Sequence, residues 1–483
     1  MTGTLDHYGI LGVSVHATPG EIAAAFNKRL ERFEKDERDP IGNLEFRKLV
    51  IAFQVLSDQE RRTAFDRSLG PRGSREAKAL NIQLFASQTT LPAIEEAQVL
   101  YLLIDISANP SLMWSEPSVN LSLVVDRSTS MRGNRINQVK EAAALMIEAL
   151  KEQDSFSLVT FSDRAEVVVP AGQIENKQYV RSRISQVSTG GATEILQGLM
   201  VGVAELSKER QSSEINHLIL LTDGHTYGDE AGSVELAQRA AVNGVGFSAL
   251  GIGHDWNDTF LDNLVAPSGG VSSYLDSPDQ IIDLLEQHVQ TLNRAYAQNM
   301  RLRFDLPPGV GVRSVHRLGP SPGPIAYSKL GMALGTLPYN IPMSALVALV
   351  IQSHPPNKST RLQVGISADI IPTGGDNQRF MDQLTLKFAL DRPKTQLLPA
   401  VVRAVSRLNL YQMNEKARKD VEQGDVDQAR RRMEQLGAQL NLAGEVELAR
   451  TAFVEADNIA RSGHLSSEGR KKLKYGTRTL LGS

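Results

Sequence analysis

Carboxylate and hydroxyl side chains alternate in one short stretch of the sequence, Asn120–Asn134 (NLSLVVDRSTSMRGN). Asp126, Ser128 and Ser130 follow directly after the apolar run Leu121–Val125. Oxygen donors of this kind suit Mg²⁺ or Mn²⁺ better than Zn²⁺, which prefers histidine and cysteine ligands. The same residue types also cap helices, and a helix is predicted directly after this stretch. The stretch alone therefore leaves a metal site and a helix cap both open.

Two further oxygen donors lie far along the chain from this stretch. Asp223 follows the apolar run HLILLT at residues 217–222, and Thr193 lies in the loop Ser188–Thr193. Ligands of an open α/β sheet bind beyond the carboxyl ends of its strands, where the strand order reverses. If the strands before Asp126 and Asp223 are neighbours at that point, the two carboxylates meet in one crevice. The sequence then predicts a site of two carboxylates and three hydroxyls, formed by Asp126, Ser128, Ser130, Thr193 and Asp223.

The elements around these donors determine where the donors lie. Between residues 120 and 292, apolar runs of strand length alternate with segments whose apolar residues recur at helical spacing. This alternation predicts a doubly wound, Rossmann-like α/β sheet with helices on both faces. A hairpin is also predicted, in which Ser162-Asp163-Arg164 separates the runs Phe156–Phe161 and Ala165–Val169.

This order of elements and donors resembles a von Willebrand factor A (vWA) domain with a metal-ion-dependent adhesion site. The resemblance covers about Asn120–Leu292, and includes the Asp-x-Ser-x-Ser loop, the threonine loop Ser188–Thr193 and the strand end Leu221–Gly224. It implies that the five donors hold Mg²⁺ (or Mn²⁺), and that an Asp or Glu of a partner protein completes the coordination sphere. The expected partner-binding rim consists of Arg127, Arg132, His225, Tyr227, Asp229, Glu230, His254 and Asp255.

Residues 1–70 are helical in pattern and resemble a J domain. Thr18-Pro19-Gly20-Glu21 is a helix start, and Leu44–Leu56 is a second amphipathic segment. A third, short helix is predicted after Ser57-Asp58. The resemblance is carried by Tyr8, Leu11-Gly12-Val13, Ala17-Thr18, Glu21-Ile22, Ala25-Phe26, Ala52-Phe53, Val55–Asp58, Arg61-Arg62 and Phe65-Asp66.

The loop that gives J domains their activity is altered in this sequence. J domains carry His-Pro-Asp after the second helix, and that loop acts on the ATPase of the heat-shock chaperone. Here the aligned residues are Glu34, Lys35 and Asp36, so only the aspartate is kept. The resemblance therefore implies the fold of a J domain without the stimulation of an ATPase, and a docking role is expected.

The remaining segments predict a sandwich and a helical tail. Strand-like runs occupy residues 80–106 and 296–390, on either side of the α/β segment, which indicates one β-sandwich with the α/β domain inserted into it. Four helical segments follow Pro393, and two of them weakly resemble tetratricopeptide repeats. The predicted limits are 1–70 for the J-like module, 71–79 for a linker, 80–118 plus 296–390 for the sandwich, 119–295 for the vWA domain and 391–483 for the helical domain.

Composition and charge exclude several classes of function. The net charge is −3, from 52 basic and 55 acidic residues, so nothing predicts attraction to nucleic acid or to a membrane. The basic runs Arg430–Arg432 and Lys471-Lys472-Lys474 are interpreted as solvated helix faces. The chain has no cysteine, which excludes disulfides and thiol chemistry. No signal peptide and no membrane-spanning run is expected, and a cytoplasmic, bacterial protein is the default.

Three functions follow from these predictions. The preferred one is a non-catalytic scaffold whose vWA domain binds a protein partner through Mg²⁺, with an ATPase or chaperone machine as a plausible partner by family analogy. The alternative is a co-chaperone whose first domain recruits a chaperone ATPase while the vWA domain selects clients. The third is a hydrolase built on Ser128, His225 and Asp223. The sequence lacks the Gly-x-Ser-x-Gly, Walker A and His-Glu-x-x-His motifs, which disfavours an enzyme.

Overall fold

The computed structural model describes residues 7–13, 17–34, 44–58, 61–62, 78–209, 215–224, 226, 228–277, 280–328, 331–352, 354–390 and 398–482 of the 483-residue chain. The chain divides into two compact units. The first is Met1–Lys78 with Asn109–Leu112 and Ser483, and the second is Ala79–Ala108 with Met113–Gly482. Within the described residues, no helix combines the length and the apolar character that crossing a membrane requires.

The first unit is built from helices, as its periodicity predicts. They are α1 (His7–Leu11), α2 (Pro19–Glu34) and α3 (Leu44–Leu56). Thr18 and Glu21 form a reciprocal cap at the start of α2, because each side chain accepts a hydrogen bond from the other's backbone N–H. Tyr8, Leu11, Ile22, Leu49, Ala52 and Leu56 form the core. Glu34 is the last residue of α2, whereas Lys35 and Asp36 lie outside the described residues. Most of the short helix predicted after Ser57-Asp58 also lies outside them.

The second unit begins with three strands that precede the α/β domain, β1 (Leu80–Ala86), β2 (Thr90–Pro92) and β3 (Gln98–Ala108). The strands of the α/β sheet are β4 (Val119–Asp126), β5 (Ser155–Phe161), β6 (Ala165–Gln173), β7 (Ile215–Thr222), β8 (Val245–Ile252) and β9 (Val271–Leu275). Its helices are α4 (Asn134–Ala149), α5 (Lys177–Ser185), α6 (Ile195–Lys208), α7 (Glu230–Val242), α8 (Asp258–Val265) and α9 (Gln280–Asn293).

The strand order explains why the predicted donors can meet. The order is β6-β5-β4-β7-β8-β9, parallel throughout except for the antiparallel hairpin of β5 and β6. Along the chain, β5 is added on one side of β4, and β7 and β8 are added on the other. The strand order therefore reverses between β4 and β7, and their carboxyl ends open into the crevice there. Every residue of β4 and β7 is buried, as expected for central parallel strands covered on both faces.

The sandwich is formed by strands from both sides of this α/β insertion. The later strands are β10 (Ala295–Asp305), β11 (Val310–Gly319), β12 (Gly323–Pro324), β13 (Met332–Pro338), β14 (Met343–Ile351), β15 (Ser359–Ile370) and β16 (Gly375–Ala389). One sheet has the order β1-β3-β14-β11-β12, and the other has the order β13-β10-β15-β16-β2. Pairing of β3 with β14 and of β2 with β16 confirms that the α/β domain is inserted into a sandwich.

The hairpin of β15 and β16 extends further than the sequence predicts. The sequence indicates strands only at Leu362–Ile366 and Leu384–Ala389, whereas β16 already begins at Gly375. The added residues, 375–383, are mostly polar and exposed, so they carry no apolar signal. Backbone pairing with β15 holds them as strand in place of side-chain burial.

The chain ends in four helices, α10 (Pro399–Glu422), α11 (Val426–Leu442), α12 (Val446–Ser462) and α13 (Ser467–Thr479). Tight turns at Gly424 and Gly444 join the first three, and both glycines adopt a positive φ that other residues rarely adopt. Leu436, Leu440, Ala452, Ile459 and Leu473 lie in the core between the helices.

The interpretation of Lys471-Lys472-Lys474 as a solvated face is wrong for two of the three lysines. Lys471 is 0% exposed and Lys474 is 3% exposed. Lys474 pairs with Asp258 and Asp262 of α8 at 2.6 Å each, so α13 packs on the vWA-like domain through buried charges. A run of like charges marks a solvated face only when no opposite charge meets it, and the acidic partners lie far away in the sequence.

Candidate metal centre

The first carboxylate of the predicted site, Asp126, is fixed in orientation. It is the last residue of β4 and is 0% exposed. Its Oδ1 accepts a hydrogen bond from the Ser128 backbone N–H at 2.8 Å, and its Oδ2 accepts one from the Thr222 hydroxyl at 2.7 Å. The loop and the neighbouring strand therefore hold this carboxylate at the carboxyl edge of the sheet.

The two serines of the loop connect the carboxyl end of β4 to Asp223. The hydroxyls of Ser128 and Ser130 are 3.0 Å apart, and the Ser130 hydroxyl donates to Asp223 Oδ1 at 2.7 Å. Asp223 directly follows β7 and is 1% exposed. Because β4 and β7 are neighbours, residues far apart in sequence share one hydrogen-bonded cluster.

The threonine loop is docked onto the same edge by backbone contacts. The Gly190 N–H donates to the Arg127 carbonyl at 2.8 Å, and the Thr129 N–H donates to the Gly191 carbonyl at 3.2 Å. Thr193 is buried, and its hydroxyl lies beside the backbone of Gly224, the residue after Asp223. A methyl group placed on Gly224 would lie 3.3 Å from the Thr193 hydroxyl and 3.9 Å from that of Ser130. All five predicted donors therefore lie at one edge of the sheet.

The electrostatics of this donor cluster suit a cation. Burial, reinforced by the neighbouring charge of Asp223, raises the pKa of Asp126 to about 6 although Ser128 and Thr222 donate hydrogen bonds to it. The donor set consists of carboxylates and hydroxyls, the chemistry that a hard divalent ion such as Mg²⁺ or Mn²⁺ prefers. The residues therefore fit such an ion, which would balance the two buried carboxylates.

Sequence reasoning missed two residues of this site. Arg135, in the first turn of α4, forms an ion pair with Asp223 Oδ2, and its Nη1 is 3.4 Å from the Ser130 carbonyl oxygen. Thr222 orients Asp126, as described above. A basic residue near a helix N-terminus opposes the helix dipole, and this was the available signal for Arg135. A hydroxyl at the end of an apolar strand was the signal for Thr222.

The expected rim residues have several different environments. Arg132 and Asp255 are exposed, whereas His225 and Tyr227 lie outside the described residues. Arg127 pairs with Glu166 at 3.8 Å. The Asp229 carboxylate accepts hydrogen bonds from the Leu196 N–H and the Thr226 hydroxyl, and so ties α6 to the start of α7.

Two rim residues face the loop after β8 and the C-terminal helix. Glu230 accepts a hydrogen bond from the Asn257 side chain at 2.9 Å. The His254 ring nitrogen Nε2 is 4.0 Å from a carboxylate oxygen of Glu468 in α13. Glu230 and His254 therefore both contact other residues of this chain, Asn257 and Glu468.

Three family models match separate parts of the chain. The DnaJ domain matches residues 6–66, the von Willebrand factor type A domain matches residues 120–287, and the Sll0103-like, C-terminal alpha-helical domain matches residues 399–483. The chain therefore contains a vWA domain, preceded by a DnaJ-type domain and followed by an Sll0103-like helical domain. Domains of the vWA type mediate protein–protein interactions, often through a metal-ion-dependent adhesion site.

Similar proteins cover either most of the chain or the vWA domain alone. An uncharacterized protein of Synechocystis, sll0103, is 26% identical over 83% of this chain and 97% of its own length. The bovine inter-alpha-trypsin inhibitor heavy chain H4 is 30% identical over 36% of this chain, which is 20% of its own length.

Two solved structures share the fold over most of this chain. A von Willebrand factor type A protein from Catenulispora acidiphila has a TM-score of 0.66 at 14% identity, covering 84% of this chain and 98% of its own. The ArnB paralog VWA2 from Sulfolobus acidocaldarius has a TM-score of 0.52 at 16% identity, covering 83% and 99%.

Proposed function

We propose that this protein is a non-catalytic interaction scaffold that binds an acidic residue of a partner protein through a divalent metal ion. Mg²⁺, or Mn²⁺ in its place, would be held by Asp126, Ser128, Ser130, Thr193 and Asp223. The observation that carries the proposal is the hydrogen-bonded convergence of the two loop serines on Asp223, beside the buried Asp126.

The donor set explains why an acidic partner residue would bind there. Two carboxylates balance the charge of a divalent ion, and hydroxyls add no further charge. Mg²⁺ favours six oxygen ligands and keeps water where the protein offers none. A partner's Asp or Glu can replace such a water, and the exposed Arg132 at the rim favours the same negative charge.

The hydrolase reading has weaker support. The carboxylate of a catalytic triad must hold the base in position. Both oxygens of Asp223 have other partners, because Oδ1 accepts from Ser130 and Oδ2 pairs with Arg135. The Ser128 hydroxyl contacts Ser130 and belongs to the proposed metal ligands.

The co-chaperone remains the second candidate, because residues 6–66 match the DnaJ domain. The altered loop Glu34-Lys35-Asp36 favours a docking module that does not stimulate an ATPase. An assay of chaperone ATPase rate with the full-length chain separates the two functions, since clear stimulation would favour the co-chaperone. We further place the protein in the bacterial cytoplasm, with an ATPase or chaperone machine as its partner.

A metal-dependent capture experiment tests the proposed function. We expect full-length protein to retain a specific partner in Mg²⁺, and to lose it in EDTA and when Asp223 is replaced (Asp223→Ala). Exposed Asp376 provides a matched control, and Asp376→Ala should retain the partner. Capture that persists equally in EDTA and with Asp223→Ala would contradict the proposal.

Arg135 is expected to weaken metal binding at this centre. Its guanidinium already neutralises Asp223, so a divalent ion must compete with it or lie close to its charge. Replacing it (Arg135→Gln) should raise the affinity for Mg²⁺ or Mn²⁺ about tenfold, which is about 1.4 kcal/mol. Isothermal titration calorimetry with Mn²⁺ measures this change.

Lys140 provides the control for the effect of Arg135. It lies on the same helix, but its ammonium group donates to the Ser185 carbonyl at 3.0 Å, away from the centre. Lys140→Gln removes the same charge and should leave Mn²⁺ affinity nearly unchanged. An equal or lower affinity for Arg135→Gln would show that Arg135 supports the centre and does not compete with the metal.

A further inference from the structure

A second group of metal-binding side chains lies where α13 meets the vWA domain. It consists of His254 after β8, Asp276 after β9 and Glu468 in the first turn of α13. One donor atom from each residue lies within 4.8 Å of the other two. These residues are separate from the five donors of the candidate metal centre, and their chemistry differs because one donor is an imidazole nitrogen.

A hydrogen-bond chain fixes the orientation of the imidazole. The Tyr274 hydroxyl donates to Asp276 Oδ1 at 3.0 Å, since an ionised carboxylate can only accept. The hydroxyl therefore acts as the acceptor in its 2.9 Å contact with His254 Nδ1, which carries the proton. In the neutral ring the lone pair then lies on Nε2, which is 4.0 Å from a carboxylate oxygen of Glu468.

This is the arrangement that protein zinc ligands use. A ligating histidine donates its other ring N–H to a second group, which fixes both the tautomer and the direction of the lone pair. Here the second group is Tyr274, and Tyr274 also anchors Asp276, the neighbouring ligand. Two of the three side chains are thus held in place by one residue.

The group is partly neutralised by a lysine that can leave. The Lys472 ammonium nitrogen lies 3.2 Å from Asp276 Oδ2 and 2.6 Å from Glu468 Oε1. Its side chain is 34% exposed, so it can turn into solvent on its flexible stem. The two carboxylates therefore already have a cation between them.

We propose that His254, Asp276 and Glu468 form a second metal site, which takes a transition-metal ion of the Zn²⁺ class. One imidazole and two carboxylates leave a fourth tetrahedral position for water, and the imidazole disfavours Mg²⁺. Binding displaces the Lys472 ammonium group. Because Glu468 belongs to α13 and the other ligands to the vWA domain, the ion ties the C-terminal helix to the loop after β8.

The loop held by the second ion also lies next to the first metal centre. A methyl group placed on Gly253 would lie 3.0 Å from the guanidinium of Arg135, which pairs with Asp223. The loop that the second ion holds is therefore the one that borders Arg135. The second site does not depend on the first, because the two share no ligand.

The experiment uses full-length protein with Asp126→Ala, so that the first centre cannot take up the added metal. Calorimetric titration with Zn²⁺ should give one equivalent, and adding His254→Ala should abolish it. Co²⁺ should give a visible absorption band that the same replacement removes. Glu468→Gln provides a second variant, at the exposed start of a helix. It should lower the affinity for Zn²⁺ at least tenfold and leave the thermal unfolding of the metal-free protein unchanged.

The competing lysine provides the sharpest readout. Lys472→Gln should raise the Zn²⁺ affinity about tenfold. Lys151→Gln, which removes an ammonium paired with the exposed Glu116 elsewhere, should not. Equal Zn²⁺ binding with and without His254, or weaker binding for Lys472→Gln, would overturn the proposal. If the wild-type chain did not bind Mn²⁺ at the first metal centre, the proposed function would be contradicted, but the proposal of the second site would stand. The failures of the two proposals are therefore distinguishable.

Discussion

Asp126→Asn is expected to abolish the stabilisation of this protein by Mg²⁺. A ligand that binds only the folded state at one hundred times its dissociation constant stabilises that state by about 2.7 kcal/mol. Wild-type protein should show a stabilisation of this size on saturation with Mg²⁺ or Mn²⁺. The variant should show none, because the centre keeps only one ionised carboxylate. Thermal unfolding with and without metal measures both values.

The geometry explains why this substitution acts on the metal and spares the fold. The buried Asp126 accepts two hydrogen bonds, from the Ser128 N–H and the Thr222 hydroxyl. Asparagine keeps one oxygen for the Ser128 N–H, and its amide can donate to the Thr222 hydroxyl after that hydroxyl rotates. The variant also avoids the cost of burying a charge without metal. We therefore expect metal-free Asp126→Asn to be at least as stable as wild type.

Asp376→Asn is the matched control, because Asp376 is exposed at the start of β16. It should leave the stabilisation by Mg²⁺ unchanged. If Asp126→Asn retained the wild-type response to Mg²⁺, the ion would have to bind elsewhere, and the assignment of the centre would be wrong. If it unfolded without metal, Asp126 would be chiefly a structural residue.

The sequence predicts the core of the site because strand ends can be read from it. The apolar runs before Asp126 and Asp223 are long enough to be central strands, and the alternation with helices predicts that their carboxyl ends share one edge. The structure confirms that β4 and β7 are neighbours. Whether the five donors bind metal stays a prediction that the titrations test.

The sequence does not predict contacts that depend on how distant elements pack. Arg135 lies 88 residues before Asp223, and only the packing of α4 brings it to that carboxylate. Lys474 lies 216 residues after its partner Asp258, so its run of basic residues is easily interpreted as a solvated face. A local charge pattern describes the neighbours along the chain, whereas burial of a charge depends on neighbours in space.

Asp258→Asn is expected to cause the largest loss of stability among the changes considered. Asp258 is 1% exposed, and its carboxylate lies 2.6 Å from Lys474, 3.0 Å from Arg470 and 3.6 Å from Arg418. Removing the charge leaves these cations near each other without their shared anion. Breaking a buried pair on one side typically costs about 3–5 kcal/mol. Urea unfolding at pH 7 should show a loss of this size.

The loss should depend on pH with a definite sign. Burial alone would raise the pKa of Asp258, but Lys474, Arg470 and Arg418 outweigh it, and the pKa falls below its ordinary value of 3.8. Burial alone would likewise raise the pKa of Asp262, but Arg478 and Lys474 outweigh it, and this pKa is also lowered. A carboxylate with a lowered folded-state pKa stabilises the protein above its unfolded pKa, and this contribution disappears as the pH falls through the folded-state value. The difference in the free energy of unfolding between wild type and Asp258→Asn should therefore be at its full size at pH 7 and smaller at pH 3.

An exposed pair on the C-terminal helical domain, which supplies the cationic partners of Asp258, separates this effect from ordinary charge removal. Asp457 is 73% exposed and pairs with Arg461 at 3.7 Å, so Asp457→Asn should change stability little at either pH. A loss for Asp258→Asn no larger than for Asp457→Asn would mean that the buried charges of α13 do not hold it to the vWA domain. A loss for Asp258→Asn well above that for Asp457→Asn means that the buried charges around Asp258 hold α13 to the vWA domain, next to the loop after β8 that immediately precedes Asp258.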